Sequence, residues 1–365
     1  MGRRPGSEAM LEWLHDLVTM ESPSGDIAGL SDIMEYLQYH LKGLGDVNLG
    51  HTEQGPILTI RRGNSGALLL GHADTVWPRG TLRAMMWRTE GDWVYGPGVL
   101  DMKGGLALAM AAFMELPADV PFTLLVTPDE EVGSMASRPI IEEAARQAPL
   151  VLVLEPGMAD GAIKVARAGV GTFLLKIGGR ESHAGLDPDD GASALKELAH
   201  HILWLDTLAD RQRGTTVNVG VASGGTRSNV IPGQATAAID VRVCRREEMV
   251  RIQEALAHPP VFDRRCEIQY TGTFDRPPME LTPSSERWVR QASQIWEKLT
   301  GQPLGLARVG GASDGNFTAL LAPTLDGLGA VGVGAHARHE GVYWPYMVWR
   351  LELLKALIEK VARLP

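Results

Sequence analysis

Apolar and polar positions follow a helical spacing in some stretches of this chain and a strand-like pattern in others. Ser7–Met20 and Ile27–Leu44 carry apolar residues at helical spacing, which predicts two opening helices. Short apolar runs that end at turn residues predict four buried strands: Ile57–Ile60, Ala67–Leu70, Phe122–Val126 and Leu150–Leu154. Helical spacing returns between these strands, at Lys103–Leu116 and Arg138–Gln147. Strands alternating with helices predict an α/β sheet that is covered on both faces.

The pattern changes at about Gly169, where half-exposed strands replace buried ones. The predicted order is strand, helix, strand, strand, helix, strand, over Thr172–Ile177, Ala192–Ala209, Thr216–Ala222, Gln234–Val243, Glu247–Ala257 and Cys266–Thr271. This is the split β-α-β order of a ferredoxin-like sandwich, which forms a complete small domain. Beyond it, we expect a helix over Ser284–Lys298, short α/β pieces, and a closing helix near Met347–Ala362.

The simplest organisation is therefore one α/β domain that a second domain interrupts. We place the interrupted domain at residues 1–166 and 277–365, and the inserted domain at residues 167–276. The length of 365 residues agrees with two domains, because a single domain usually has about 150 residues.

Composition narrows the possible partners and the compartment. A formal net charge of −9 repels phosphate backbones, and no apolar run approaches the ~18–20 residues that cross a bilayer, so we expect neither nucleic acid nor membrane as a partner. Two cysteines, Cys244 and Cys266, are too few to staple this chain and suggest a reducing compartment. Arg3 and Arg4 resemble a twin-arginine signal, but an amphipathic helix follows them, so we expect a cytoplasmic protein.

Polar residues cluster directly after predicted strands, where open α/β sheets place their sites. His72 and Asp74 share one face of an extended segment, an arrangement that suits a metal-bound imidazole and a carboxylate that orients it. Glu130 and Glu131 are adjacent carboxylates, of which one can bind a metal while the other accepts a proton. Taken alone, a buried structural histidine and a solvated acidic loop would explain these pairs.

Further candidates follow the same rule of position. Asp101 precedes a predicted helix and, by itself, would be that helix's N-cap. Glu155 ends a very apolar strand, where a carboxylate should be paired or coordinated. His336 and His339 follow another short apolar strand, and either one alone would be unremarkable.

Together these segments predict a centre for two metal ions. Its candidates are His72, Asp101, Glu131, Glu155 and one late histidine. One carboxylate would bridge the ions, and each ion would keep one imidazole and one further carboxylate. Nitrogen and oxygen ligands without a thiolate indicate zinc, with manganese or cobalt as possible substitutes, and two divalent ions would balance the gathered acids.

The motifs resemble those of the co-catalytic zinc peptidase family that includes glutamate carboxypeptidases, aminoacylases, acetylornithine deacetylase and succinyl-diaminopimelate desuccinylase. The resemblance covers nearly the whole chain through four boxes: Gly71-His-Ala-Asp-Thr-Val, Tyr95-Gly-Pro-Gly-Val-Leu-Asp-Met-Lys-Gly-Gly, Thr127-Pro-Asp-Glu-Glu-Val-Gly and Leu154-Glu-Pro-Gly. It implies that Asp101 bridges two zinc ions and that His72, Glu131 and Glu155 bind them. It also implies that Asp74 orients His72 and that Glu130 is the general base.

The family pattern also selects the late histidine. It reads Gly-Ala-His, two residues, Asn or Asp, then Glu, and Gly334-Ala-His-Ala-Arg-His-Glu fits it with His336 as the ligand. His339 then stands where Asn or Asp is usual, and Gly341 stands where an aromatic residue is usual.

The resemblance extends to the inserted domain, which in the family is a lid that dimerises. His183, in Gly178-Gly-Arg-Glu-Ser-His-Ala-Gly, would help stabilise the tetrahedral intermediate, and Asn229 would hold substrate. Without the resemblance, both are simply turn residues. Arg242 and Arg276 resemble carboxylate-binding arginines of the glutamate carboxypeptidase branch, and Gly311 lies in a stretch that would close around substrate.

The resemblance thus implies a mixed-sheet α/β catalytic domain with an inserted ferredoxin-like α+β lid and dimerisation domain. The expected activity is di-zinc hydrolysis that releases a C-terminal, glutamate-like amino acid from a small peptide or an N-acyl amino acid, in a homodimer. A deacylase of N-acyl amino acids would use the same residues. A non-catalytic metal-binding protein would lack the base, and Glu130 argues against it.

Overall fold

The computed structural model describes residues 5–364, so the Arg3-Arg4 pair lies outside the described residues. The chain divides into two compact units. The first unit contains residues 5–165, Leu281–Arg308 and 313–364, and the second contains Ala166–Glu280 and Val309–Ala312. Within the described range, none of the helices has the length and apolar character that crossing a membrane requires.

The helices and strands interleave along the chain. The helices are α1 (Pro5–Thr19), α2 (Ile27–Leu41), α3 (Gly104–Glu115), α4 (Arg138–Arg146), α5 (Ala194–Thr207), α6 (Arg246–Ala257), α7 (Pro283–Thr300), α8 (Gly315–Thr318) and α9 (Trp344–Ala362). The strands are β1 (Asp46–Thr52), β2 (Gly55–Arg62), β3 (Ala67–His72), β4 (Arg88–Glu90), β5 (Trp93–Tyr95), β6 (Phe122–Thr127), β7 (Val151–Val153), β8 (Ile163–Arg167), β9 (Gly169–Gly178), β10 (Thr215–Gly224), β11 (Gln234–Val243), β12 (Glu267–Arg276), β13 (Leu306–Val309), β14 (Thr324–Leu325), β15 (Gly332–Val333) and β16 (Gly341–Tyr343).

A mixed sheet forms the centre of the first unit, with strand order β1-β2-β6-β3-β7-β14. β3 runs parallel to β6 and β7, whereas β1, β2 and β6 pair in antiparallel fashion. The predicted mixed α/β sheet is therefore confirmed. The four predicted strands are all present: three lie within β2, β3 and β6, and the fourth is one residue longer than β7 at each end.

The parallel strands bring their carboxyl ends to one edge of this sheet. His72 at the end of β3 pairs with Thr127 at the end of β6, and Leu70 of β3 pairs with Val153 of β7. The strands are buried along most of their length, because apolar residues cover both faces. The polar residues that follow these strands therefore begin next to one another.

Helix α3 is buried around its whole circumference, with Gly104–Phe113 inaccessible to solvent. This explains why it is apolar all round rather than amphipathic. Glycine at position 104 is required by close packing, since a Cβ there would lie 2.7 Å from the Cβ of Ala330. The turn Val99–Lys103 precedes this helix and is thereby anchored to a rigid element.

A small second sheet of the first unit, in the order β15-β16-β5-β4, explains the unusual Gly341. Gly341 pairs with Tyr95 on the adjacent strand. A Cβ at position 341 would lie 2.6 Å from Cδ1 of Tyr95, so the tyrosine ring covers the position. The same tyrosine ring carries the Arg88 guanidinium 4.1 Å above it.

The second unit has the order β9-α5-β10-β11-α6-β12, with an antiparallel sheet arranged β10-β11-β9-β12. This is the split β-α-β topology of a ferredoxin-like sandwich. Apolar residues alternate along β9 and β11, and their buried side chains form the core of this unit. β11 has the predicted bounds, whereas β9, β10 and β12 are longer than the sequence pattern predicts, because pairing with neighbouring strands carries them beyond their apolar cores.

One buried carboxylate of the second unit generates a prediction on acid stability. Glu248 in α6 accepts hydrogen bonds from Arg251 Nη2 at 2.6 Å, from Thr215 Oγ1 at 2.7 Å and from Arg213 Nη1 at 3.2 Å. The Arg251 bond is the main reason why the pKa of Glu248 falls to about 2. A carboxyl whose pKa is depressed by folding stabilises the fold above its unfolded pKa, and this contribution is lost as the pH falls toward 2.

We expect Glu248→Gln to lower the melting temperature at pH 7. Losing hydrogen bonds to a charged group should reduce the free energy of unfolding by on the order of 1–3 kcal/mol. The difference in melting temperature between variant and wild type should shrink between pH 5 and pH 3, because the stabilisation by ionised Glu248 decreases in that range. Thermal unfolding followed by circular dichroism checks this, with the exposed neighbour Glu247→Gln as the matched control. An equal deficit at pH 7 and pH 3 would contradict the prediction.

Candidate metal centre

The residues that the sequence assigns to metal binding and catalysis come from five segments of the first unit. Three segments follow β3, β6 and β7, one is the turn before α3, and one joins β15 to β16. Together they supply His72, Asp74, Asp101, Glu130, Glu131, Glu155 and His336. Sheet topology places the first three segments side by side, and the loops bring the other two to them.

Asp101 lies between two imidazoles. Its Oδ1 is 3.4 Å from Nε2 of His72, and its Oδ2 is 3.3 Å from Nε2 of His336. Each imidazole also faces a second carboxylate, with Glu155 Oε1 3.4 Å from His72 Nε2 and Glu131 Oε1 3.1 Å from His336 Nε2. Two nitrogen and oxygen donor sets therefore share one carboxylate, which is the geometry of a bridging ligand.

Glu130 also belongs to this cluster. Donor atoms of His72, Glu130 and Glu155 lie within 4.8 Å of one another, as do those of His72, Asp101 and Glu131. A carboxylate beside a metal-binding group is placed to exchange a proton with a molecule held there. The geometry thus brings the candidate base and the candidate ligands to the same place.

The charge balance of the cluster fits cations. Contacts with the carboxylates of Asp101 and Glu131 raise the pKa of His336 to about 10. Burial opposes protonation of His72, but Asp101 and the other carboxylates around it nevertheless hold its pKa well above the usual value. Burial by itself raises the pKa of Glu131. The acids thus favour positive charge nearby, and two divalent ions would supply more of it than two protonated imidazoles do.

Two buried atoms at the centre support the same conclusion. Nε2 of His72 and Oδ1 of Asp101 are buried and make no hydrogen bond among the described residues. Buried polar atoms normally have a partner, and metal ligation would satisfy both. Because the donors are imidazole and carboxylate with no thiolate, the residues fit zinc, manganese or cobalt.

Asp74 positions two parts of the centre. His72 Nδ1 is 2.9 Å from the backbone carbonyl oxygen of Asp74, and the ring therefore donates Nδ1–H and leaves Nε2 for a metal. The carboxylate of Asp74 accepts the backbone N–H groups of Glu130 and Glu131, each at 3.1 Å, and the hydroxyl of Ser24 at 2.7 Å. The sequence suggested only the first of these two functions.

Backbone strain is concentrated at this centre. Ser134 and His336, with φ of +57° and +61°, are the two non-glycine residues with left-handed φ in the described range 5–364. The Ser134 hydroxyl donates to the buried carboxylate of Asp314. Asp129 in turn accepts the backbone N–H of Ala136 at 2.9 Å. Asp314 and Asp129 therefore both hold the loop that carries the two adjacent glutamates. The sequence suggested Asp314 only as a helix cap and did not assign Asp129 a role.

Residues predicted in the second unit form a local arrangement of their own. His183 Nδ1 accepts the backbone N–H groups of Gly185 and Leu186, at 3.1 and 3.0 Å. The proton of the neutral ring therefore sits on Nε2, which is exposed and able to donate. Ala184 N donates to the carbonyl of Asn229, so the two predicted boxes lie side by side within this unit.

The predicted arginines of the second unit differ in environment. Arg242 binds Asp240 through two nitrogens, with Nη2 2.9 Å from Oδ2 and Nε 2.9 Å from Oδ1. Arg276 is buried. Arg167, which sequence analysis missed, is also buried and donates to the carbonyl of Gly311 at 3.2 Å. The substrate contacts of Asn229, Arg242, Arg276 and Gly311 stay predictions.

Comparison with known proteins gives a consistent result. The model of peptidase family M20/M25/M40 matches residues 68–360. Carboxypeptidase G2 of Pseudomonas sp. (strain RS-16) is 31% identical over 346 residues, covering 90% of this chain and 83% of that protein. Acetylornithine deacetylase of Myxococcus xanthus is 30% identical over 233 residues, covering 57% and 60%. In fold, aminopeptidase PepT of Bacillus cereus matches with a TM-score of 0.78 at 22% identity, over 98% of this chain and 99% of that one.

The two contacts of Asp74 lead to a prediction on metal affinity. In Asp74→Asn an amide NH2 replaces one oxygen and faces a backbone N–H group, so that the Glu130-Glu131 turn loses its fixed orientation. The same change removes the negative charge of the carboxylate whose Oδ1 lies 3.3 Å from His72 Nδ1, although the backbone contact to His72 stays. We expect metal affinity to fall about 10–100-fold, as is usual when a residue that orients a ligand is changed.

Chelator competition measures this affinity. Asp210→Asn is the matched control, because Asp210 Oδ1 also accepts two backbone N–H groups, at 2.9 and 3.1 Å, in a turn of the second unit. Wild-type metal affinity in Asp74→Asn, or an equal loss in the control, would show that Asp74 does not act through the centre.

Proposed function

The chain belongs to peptidase family M20/M25/M40, and from this membership we propose that it is a di-zinc exopeptidase that releases a C-terminal, glutamate-like amino acid. The family assignment makes it a metal-dependent peptidase or amidohydrolase. The observation that carries the two-ion proposal is the position of Asp101, whose two oxygens face His72 and His336. The proposed ligands are His72, Asp101, Glu131, Glu155 and His336.

We propose that Glu130 moves the proton in hydrolysis. Divalent ions at this centre would polarise the scissile carbonyl and lower the pKa of the attacking water toward ~7. The Glu130 carboxylate then accepts the water proton and delivers it to the leaving amine, while a bond forms between the water oxygen and the carbonyl carbon and the C–N bond breaks. Asp74 supports this by holding the Glu130 backbone N–H at 3.1 Å.

The second unit is proposed to complete the reaction as a lid and dimerisation domain, at residues 167–276. His183 would donate its Nε2–H to the oxyanion, and the two backbone bonds to Nδ1 support this tautomer. Arg242 and Arg276 would hold the free carboxylate of the substrate, with Asn229 and Gly311 also in contact with it. We retain a homodimer and a cytoplasmic location as predictions.

A deacylase of N-acyl amino acids is the second candidate. The similarity to acetylornithine deacetylase favours it. Both candidates use the same metal centre and differ in what is bound on either side of the amide. A substrate panel separates them.

Changing the proposed base tests the mechanism. Glu130→Gln keeps the size of the side chain but cannot accept a proton, so kcat should fall about 10²–10⁴-fold. Metal content should stay at two ions per chain, measured by mass spectrometry of the metals. Glu142→Gln on α4, a partly exposed glutamate paired with Arg138, is the control and should keep full activity. Near wild-type turnover in Glu130→Gln would show that another group is the base.

The role of Arg242 is tested with paired substrates. We compare N-acyl-glutamate, folate-like conjugates and dipeptides, each with a free C-terminal carboxylate or a neutral amide. The wild type should have a higher kcat/KM for the carboxylate substrate than for the amide. Arg242→Met should reduce this ratio at least tenfold, because a bidentate contact is lost. Asp240→Asn is the control that frees Arg242 instead. An unchanged preference in Arg242→Met would exclude this residue as the carboxylate ligand.

A further inference from the structure

One buried carboxylate near the metal centre has no place in the mechanism above. Glu340 is 1% exposed and accepts four hydrogen bonds. Its Oε2 accepts Trp77 Nε1 at 2.8 Å and the backbone N–H of Gly98 at 2.9 Å. Its Oε1 accepts the backbone N–H groups of Leu100 at 2.9 Å and Asp101 at 3.0 Å. An ionised carboxylate offers about four acceptor positions, and here all are used.

The four donors belong to segments that carry metal-binding candidates. Trp77 follows His72 by five residues, and the backbone donors form the turn that presents Asp101. Glu340 itself follows His336 by four residues, and its backbone carbonyl accepts from Gly96 N at 3.4 Å. A single side chain thus joins three ligand segments that are far apart in sequence.

The Asp101 turn needs acceptors from outside itself. Asp101 and Met102 have non-helical backbone angles, with φ and ψ of −115° and 98° and of −131° and 39°, so regular helical hydrogen bonding is interrupted here. Buried N–H groups that lack a partner are costly. Glu340 supplies the missing acceptors, and because it is charged each bond is stronger than a neutral one.

We propose that Glu340 is a positioning residue that holds the Asp101 turn in register with His72 and His336, so that one carboxylate can bridge both ions. This inference rests on the proposed two-ion centre. Glu340 contacts the backbone of Asp101 and not the reacting atoms, and its effect should therefore be seen first in metal affinity. The affinity for both ions should fall together, since both would share Asp101.

The test compares Glu340→Gln and Trp77→Phe with a matched control. In Glu340→Gln an NH2 group must face two of the four donors, whereas Trp77→Phe removes one donor and leaves the three backbone bonds. The control is Glu197→Gln, because Glu197 is likewise 1% exposed and accepts the backbone N–H groups of Phe262 and Asp263 at 2.9 and 2.8 Å, within the second unit. Each variant is titrated with zinc against a chelator, and the melting temperature of the metal-free protein is recorded.

We expect Glu340→Gln to raise both zinc dissociation constants about 10–100-fold, and Trp77→Phe to raise them less. Glu197→Gln should lower the melting temperature of the metal-free protein to a similar extent as Glu340→Gln but leave zinc affinity unchanged. Unchanged zinc affinity in Glu340→Gln, or an equal loss in Glu197→Gln, would overturn the inference. Failure of the proposed function would instead be visible in the wild type, as bound zinc without hydrolysis of any substrate in the panel.

Discussion

Repulsion between crowded carboxylates is the constraint on which this molecule depends. Parallel strands deliver acidic residues to one sheet edge, where Asp101, Glu131 and Glu155 lie against two imidazoles. Buried acids of like charge tolerate such proximity only when positive charge is present. The raised pKa values of His72 and His336 show how strongly this pocket favours cations. The same demand makes it suitable for divalent metal ions.

A second use of carboxylates makes that arrangement rigid. Asp74, Asp129 and Glu340 each accept backbone N–H groups from loops that carry a candidate ligand or base. Loops without regular structure would otherwise present their side chains loosely, and a metal centre requires fixed donors. The strained φ angles of Ser134 and His336 persist because neighbouring contacts hold them. The fold thus uses acids both as candidate ligands and as supports of those ligands.

How far the sequence predicts the fold depends on where each element lies. The strands within β2, β3, β6 and β7 were predictable because burial on both faces leaves a continuous apolar run. β1 was missed because it is an edge strand without a buried residue, and β14 was missed because two residues carry no period. β14 forms by pairing with β7, which is distant in sequence.

By itself, the sequence determined the α/β class, the split β-α-β order of the second unit, and which strand ends carry polar residues, because periodicity and local turn chemistry are written in neighbouring positions. It also named the side chains that meet at the centre. Tertiary structure alone decided that Asp101 lies between His72 and His336, that Asp74 holds the Glu130 turn, and that Tyr95 covers Gly341. These contacts join residues from distant segments, and only the packing of the sheet and its loops brings such segments within hydrogen-bonding distance.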